Sequence, residues 1–156
     1  IRWLPDPLIP WTGALENVDE ADSLGIEIVF DANQGDFEVN SALTWLDASE
    51  TKDGKTSKRL RVPKWSASLV ASYYLAKGRV FAEALYRGDR RDRNFSTGMD
   101  VTLDAYLLFN LGLGYELGHG LSLSARLNNL TDEQYEEVYS YATLGRNGTA
   151  TLDWRF

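Results

Sequence analysis

The sequence predicts an all-β protein, an antiparallel transmembrane β-barrel meander of about eight strands. Three observations predict it. Apolar and polar residues alternate with a period of two along much of the chain, which is the period of a β-strand. Short and long connections alternate strictly between these segments. The apolar rows tend to end in tryptophan, tyrosine or phenylalanine, as the aromatic girdles of a membrane barrel require.

The alternating pattern marks the strands in chain order. The first segment looks like the tail of a strand, and the last carries the clearest pattern, with an apolar row made of Ala150, Leu152, Trp154 and Phe156. The chain is therefore expected to end as a strand on Phe156. The segments cover residues 1–4, 26–30, 37–45, 65–74, 80–87, 105–116, 121–128 and 149–156.

Alternation alone does not show which face of each strand contacts water. A water-soluble β-sandwich or lipocalin-like barrel is therefore the competing interpretation. Several strands carry an apolar face of about 9–11 residues, the length that a tilted strand needs to cross a membrane. The opposite face carries charges and glycines, among them Glu83, Gly112, Arg126 and Asp153. Unpaired charges are costly in a dry core, so the membrane interpretation is favoured.

The connections give the orientation of the predicted barrel. The short ones lie at residues 33–36, 76–78 and 118–120, and the long ones at 5–16, 47–64, 88–104 and 129–148. A membrane barrel has short periplasmic turns and longer extracellular loops. If Phe156 lies at the periplasmic side, every short turn falls on that side and every long loop falls outside.

Composition excludes several function classes. The net charge of −7 argues against a nucleic-acid partner, because binding to phosphates needs a basic face. Cysteine is absent, and the single histidine, His119, lies between two glycines as an exposed turn residue would. No metal site, no cofactor and no enzymatic activity are therefore expected. The chain begins at Ile1 without a signal peptide, so a piece of a longer protein is expected.

A family resemblance lies near the C-terminus. Residues 125–135 contain an N-L-x-D-x-x-Y string, and a Gly-Arg pair follows before the last strand. This pattern resembles the signature that closes the TonB-dependent outer-membrane receptors, and residues 135–146 are most similar to its cobalamin (vitamin B12) branch. The residues that carry the resemblance are Asn129, Leu130, Asp132, Tyr135, Gly145 and Arg146.

The resemblance implies a bacterial outer-membrane receptor that imports a scarce nutrient, cobalamin or a ferric siderophore, with energy from TonB. Residues 1–156 would then be the C-terminal portion of a 22-stranded barrel, without its plug domain and N-terminal strands. The implied partners are outer-membrane lipid and lipopolysaccharide, the barrel-insertion machinery, TonB through the missing N-terminal region, and the small nutrient. The row ending in Trp154 and Phe156 matches the signal that the insertion machinery recognises. The alternative is an autonomous eight-stranded outer-membrane barrel with a structural or adhesive role.

Tyrosines and arginines of the long loops are the candidates for contact with the ligand. Tyrosine offers a broad apolar surface with a hydrogen-bonding tip. The alternatives are packing against neighbouring loops for the tyrosines, and lipopolysaccharide phosphates or other loops as partners of the arginines. The candidates are Tyr135, Tyr139, Tyr141, Arg90, Arg91 and Arg93.

Overall fold

The computed structural model describes residues 2–5, 8–9, 13–16 and 20–156 of the chain. Within these residues the regular structure consists of twelve β-strands. No helix in the described part of the chain is long and apolar enough to cross a membrane. The strands are β1 Arg2–Pro5, β2 Gly13–Glu16, β3 Glu20–Gln34, β4 Phe37–Lys52, β5 Lys55–Lys58, β6 Trp65–Leu75, β7 Gly78–Arg87, β8 Arg90–Arg93, β9 Asp100–Leu103, β10 Tyr106–Gly118, β11 Leu121–Asn128 and β12 Asn147–Trp154.

Seven long strands form one antiparallel sheet in the order β12-β11-β10-β7-β6-β4-β3, and β5 adds to the end of β4. The predicted all-β, antiparallel meander is therefore confirmed. Among the described residues the two outer strands, β3 and β12, do not pair with each other, so the sheet is open. A closed barrel made of these strands alone, as the alternative interpretation requires, is not what the sheet forms.

The strand register separates an apolar face from a polar face along the whole sheet. One row across the strands on the apolar face consists of Ala32, Val39, Ala71, Ala82, Leu111 and Leu127. The next row, on the polar face, consists of Glu38, Ser72, Phe81, Gly112, Arg126 and Thr149. The large side chains of the apolar face are exposed, as Leu111 at 45% shows. Such a surface suits contact with lipid chains and not with water.

Aromatic side chains mark both ends of the apolar face. Trp45 pairs with Trp65 where the long connections begin, and Phe37 pairs with Tyr73 where the short turns lie. All four are on the apolar face, so they form the two girdles that the sequence predicts. Such girdles place amphipathic rings at the two interfaces of a membrane.

The short turns lie where they were predicted, but three of the four long connections contain β-strands, and in the first of them β2 pairs with β1. β4 continues to Lys52 and pairs with β5, and β8 pairs with β9 inside the third long connection. The turn between β4 and β5 is Asp53-Gly54, with φ angles of 50° and 70°. This dipeptide favours the tight hairpin turn that needs positive φ at both residues. These hairpins pair backbone groups that an irregular loop would leave to solvent.

Both ends of the chain differ from the prediction. The segment expected as the tail of a first sheet strand is β1, which pairs with β2 as a separate hairpin; Ile1 lies outside the described residues. The last strand ends at Trp154, opposite Leu121, and Phe156 lies two residues beyond it. Beyond this pair the backbone N of Arg155 donates to Gly120 O at 2.8 Å, and no strand among the described residues pairs with Phe156. Its ring instead contacts that of Trp154 edge-on, with 5.9 Å between ring centroids.

Candidate functional site in the long loops

Three long loops meet at the end of the sheet opposite the short turns. We name them loop A (residues 53–64, with β5), loop B (88–105, with β8 and β9) and loop C (129–146). Loops A and B are joined by a backbone hydrogen bond from Arg61 N to Arg91 O of 2.7 Å. Loop C is fixed to the sheet at its start, where Leu130 N donates to Phe109 O at 2.9 Å. The candidate site is built from these three loops.

Asp92 of loop B holds all three loops together. The pairing of β8 with β9 directs its side chain inward, where it is 0% exposed. Its carboxylate accepts a hydrogen bond from Arg61 Nε of loop A at 2.8 Å. The backbone N of Tyr139, in loop C, donates to the other carboxylate oxygen at 2.8 Å. Burial alone would raise the pKa of Asp92, but these donors and the backbone N–H of Arg93 hold the pKa below its ordinary value.

Arg90 makes a second connection between loops B and C. Its side chain is 3% exposed, and its guanidinium donates to the backbone oxygen of Glu136 at 2.5 Å and to Glu137 Oε2 at 3.3 Å. The guanidinium also lies 5.3 Å from the ring centroid of Tyr106. The Tyr106 ring in turn contacts that of Tyr135, with 4.4 Å between centroids. Two residues predicted to contact a ligand are thus engaged in packing: Arg90 joins loops B and C, and Tyr135 packs against the first residue of β10.

Arg91 and Arg93, two further predicted contacts, both form ion pairs with Asp100 on the neighbouring strand. Arg91 lies in direct contact with that carboxylate, and Arg93 Nη2 is 3.4 Å from it. Burial raises the pKa of Asp100 and the two guanidinium groups lower it, with a net shift below the ordinary value. Their ion pairs bridge the two strands of the loop B hairpin.

The residues of the recognised motif shape loop C. Asn129 has a positive φ of 51°, and its side chain bonds both the N and the O of Glu133, at 2.8 and 2.9 Å. Asp132 accepts a hydrogen bond from the backbone N of Arg146 at 2.7 Å. A Cβ atom on Gly145 would lie 2.7 Å from the same carboxylate oxygen, so a side chain there would displace it. In this chain the motif residues hold the two ends of loop C together.

A cleft of about 460 Å³ lies between the three loops and is open to solvent. Its walls include Phe95 of loop B, 41% exposed, and Tyr141 of loop C, 66% exposed. Arg61 of loop A also lines it, with its guanidinium 5.3 Å from the centroid of the Phe95 ring. Of these residues the sequence pointed only to Tyr141. The remaining lining residues are Glu137, Val138, Ala142 and Thr143.

Charges on the polar face of the sheet pair with one another across neighbouring strands. Arg126 contacts the carboxylate of Glu83 directly, and Asn110 Nδ2 donates to the same carboxylate at 2.7 Å. The ring of Phe81 lies over Gly112, where a Cβ atom would overlap it. Among the described residues, no group of three or more His, Asp or Glu side chains is arranged to hold a metal ion.

Residues 5–130 match the family model described as "TonB dependent receptor-like, beta-barrel". The chain is 35% identical over 162 residues to the vitamin B12 transporter BtuB of Vibrio vulnificus, covering 100% of this chain and 25% of that protein. It is 30% identical over 160 residues to the BtuB of Photobacterium profundum, with the same coverage. The chain thus spans a quarter of the length of these relatives.

Solved structures share the fold. The pyoverdine receptor FpvA of Pseudomonas aeruginosa PAO1 superposes with a TM-score of 0.72 at 21% identity, covering 99% of this chain and 25% of that one. The siderophore receptor PiuA of Acinetobacter baumannii gives a TM-score of 0.66 at 21% identity, covering 86% of this chain and 22% of that one. The predicted family, fold class and bacterial outer-membrane location are confirmed. The chain belongs to the TonB-dependent receptor family, within the β-barrel of these outer-membrane proteins.

Proposed function

We propose that this chain is the C-terminal part of a receptor that imports cobalamin across the outer membrane, with energy supplied by TonB. The observation that carries the proposal is the 35% identity to a vitamin B12 transporter over the whole of this chain. The sequence of residues 135–146, which resembles the cobalamin branch, supports the same choice. A ferric siderophore is the second candidate, because structural neighbours are siderophore receptors.

The open sheet supports the part of the proposal that concerns the rest of the barrel. No strand in the described part of the chain pairs with the outer edges of β3 and β12, and unpaired backbone groups are costly in a bilayer because no water satisfies them. Further strands of the same receptor would pair with both edges and close the barrel. A plug inside that barrel would face the polar side of the sheet and would carry the contact with TonB.

Binding and gated passage, without bond chemistry, would be the activity of such a receptor. The three joined loops would lie outside the cell, with Tyr141 and the exposed part of Tyr139 facing the nutrient. The apolar face would contact membrane lipid, with loop cations at the level of lipopolysaccharide phosphates. The row that includes Ala150, Leu152 and Trp154, with Phe156 after it, would be read by the barrel-insertion machinery.

Uptake by cells tests the proposal. The gene that encodes this chain is deleted from its host, and uptake of radiolabelled cyanocobalamin and of a radiolabelled ferric siderophore is measured. The deletion should abolish high-affinity cyanocobalamin uptake and leave siderophore uptake unchanged. The full-length gene should restore cyanocobalamin uptake in a strain with TonB and fail to do so in a strain without it.

Two outcomes would contradict the proposal in different ways. If only ferric siderophore uptake is lost, the imported nutrient would be a siderophore and not cobalamin, and the function as a nutrient receptor would stand. Uptake of both nutrients at the level of the undeleted strain would reject the receptor function. Restoration that does not need TonB would reject the proposed energy source.

A further inference from the structure

We propose that Arg61, Phe95 and Tyr141 form a subsite for an anionic oxygen group carried next to a planar apolar ring. A carboxylate, phosphate or phenolate attached to an aromatic group has this chemistry. The identification of that group as part of an imported nutrient rests on the function proposed above.

The guanidinium of Arg61 is fixed in place and only partly used. Its Nε donates to Asp92 at 2.8 Å, and Asp92 is fully buried and held by loop C. The backbone of Arg61 is also fixed, through its bond to Arg91. No residue that the structure describes accepts a hydrogen bond from the two Nη atoms of Arg61. Arginine has five N–H donors in a rigid fork that matches the geometry of oxyanions, so four of them remain for a ligand.

Two aromatic side chains line the same cleft as this guanidinium. Phe95 lies beneath it at 5.3 Å, and the cleft extends to Tyr141 on the opposite loop. Both rings are exposed to solvent, at 41% and 66%. Exposed rings that line one cleft with a positioned polar group are typical of ligand sites. A flat group of the ligand would cover them while its anionic oxygen meets the Nη atoms.

Charge balance distinguishes this subsite from the other arginines of the loops. Arg90 is buried and bonded to Glu136 and Glu137, and Arg91 and Arg93 share Asp100. Because Asp92 neutralises Arg61, and Arg90 pairs with Glu137 of the cleft lining, attraction over long distances contributes little. Recognition would depend on directed hydrogen bonds at short range, so we expect binding to change little between low and physiological salt.

Salicylate, a carboxylate on an aromatic ring, is the probe for this class. Its binding to the purified full-length receptor in detergent is measured by saturation-transfer NMR, beside salicylamide, which has the same ring without the carboxylate charge. Arg61→Gln should weaken salicylate binding about tenfold or more, because hydrogen bonds to charged groups are lost. Tyr141→Ala, which removes an exposed ring and none of the bonds between loops, should weaken it about two- to tenfold.

Arg59→Gln is the matched control, because this exposed arginine lies in loop A and outside the cleft lining. This variant should bind salicylate as well as the unmodified receptor does. Salicylamide should bind the unmodified receptor weakly, with an affinity no higher than that of Arg61→Gln for salicylate. Equal salicylate binding by the unmodified receptor and both cleft variants would overturn the proposal, as would the absence of saturable binding to the unmodified receptor. If salicylate binds as expected but deletion of the gene changes the uptake of neither nutrient, the transport function would be rejected and the subsite would be supported.

Discussion

Replacement of Asp92 by asparagine changes a side chain that joins all three long loops. The carboxylate is fully buried and accepts hydrogen bonds from Arg61 Nε and from Tyr139 N, each at 2.8 Å. Asparagine keeps one oxygen and places an NH₂ group where the other was. One of the two donors would then face a donor, and the charge of Arg61 would lose its partner.

The size of the effect follows from these contacts. Hydrogen bonds to a charged group contribute about 1.5–3 kcal/mol each, and removal of one partner of a buried ion pair costs about 3–5 kcal/mol. We therefore expect the free energy of loop docking to fall by about 3–5 kcal/mol. Since each 1.4 kcal/mol is about a factor of ten in an equilibrium constant, opening should become at least about a hundredfold more frequent.

Hydrogen exchange of the Tyr139 amide measures this opening directly, because that amide donates to Asp92. The exchange is followed by mass spectrometry on the full-length receptor in detergent. Asp100→Asn is the matched control, because Asp100 is 45% exposed and exposed ion pairs contribute only about 0–1 kcal/mol. Equal exchange at Tyr139 in Asp92→Asn and in the unmodified receptor would refute the reasoning.

The same amide reports the pH dependence of loop docking. The pKa of Asp92 in the folded protein lies below its ordinary value of 3.8. Its contribution to docking is therefore fully present above pH 3.8 and is lost as the pH falls through the lower, folded-state pKa. Exchange at Tyr139, corrected for the intrinsic effect of pH, should stay constant from about pH 7 to about pH 5 and rise only below 3.8. A rise within that upper range would contradict the role given to Asp92.

Three further predictions concern the sheet and its end. Leu111→Arg on the apolar face should lower the free energy of unfolding by about 2–4 kcal/mol, as arginine does near the bilayer midplane. Urea unfolding in lipid vesicles measures this change. Ser124→Arg on the polar face is the control and should have little effect. Gly112→Ala should lower the free energy of unfolding by about 1–3 kcal/mol in the same assay, because its Cβ would overlap an aromatic ring. Gly114→Ala should leave this free energy unchanged, because a Cβ atom there meets open space. Deletion of Phe156 should reduce the fraction of receptor assembled in cells, scored by heat-modifiable migration of outer-membrane samples, without lowering the stability of refolded protein. Equal effects within the first two pairs, or full assembly without Phe156, would contradict these assignments.

Much of the sheet could be predicted from the sequence because its period is a direct consequence of strand geometry. Residues two apart share a face, so the alternation in the sixth predicted strand assigned Leu111 to one face and Gly112 to the other, as the register shows. The short turns followed from glycine and polar residues between such segments. The hairpin of β4 and β5 was missed although Asp53-Gly54 is a strong hairpin signal, because the flanking residues are polar on both faces.

The site was harder to predict because its contacts join loops that are distant in sequence. Tyr141 stood out as an aromatic residue in a polar loop, but nothing in the local pattern of Arg61 or Phe95 links them to it. Their proximity depends on Asp92, which is 31 residues from Arg61 and 47 from Tyr139. Arg90 was predicted to contact the ligand because of its charge. Its burial depends on the Glu137 carboxylate and the Tyr106 ring, which come from other parts of the chain.

The placement of the long loops outside the cell and of the short turns in the periplasm can be measured directly. This chain has no cysteine, so single cysteines at position 141 in loop C and position 119 in a short turn can be labelled in whole cells with a membrane-impermeant maleimide. We expect that Tyr141→Cys reacts in intact cells and is protected by saturating cyanocobalamin, whereas His119→Cys reacts only after the outer membrane is permeabilised. Reaction of His119→Cys in intact cells, or failure of Tyr141→Cys to react there, would contradict it.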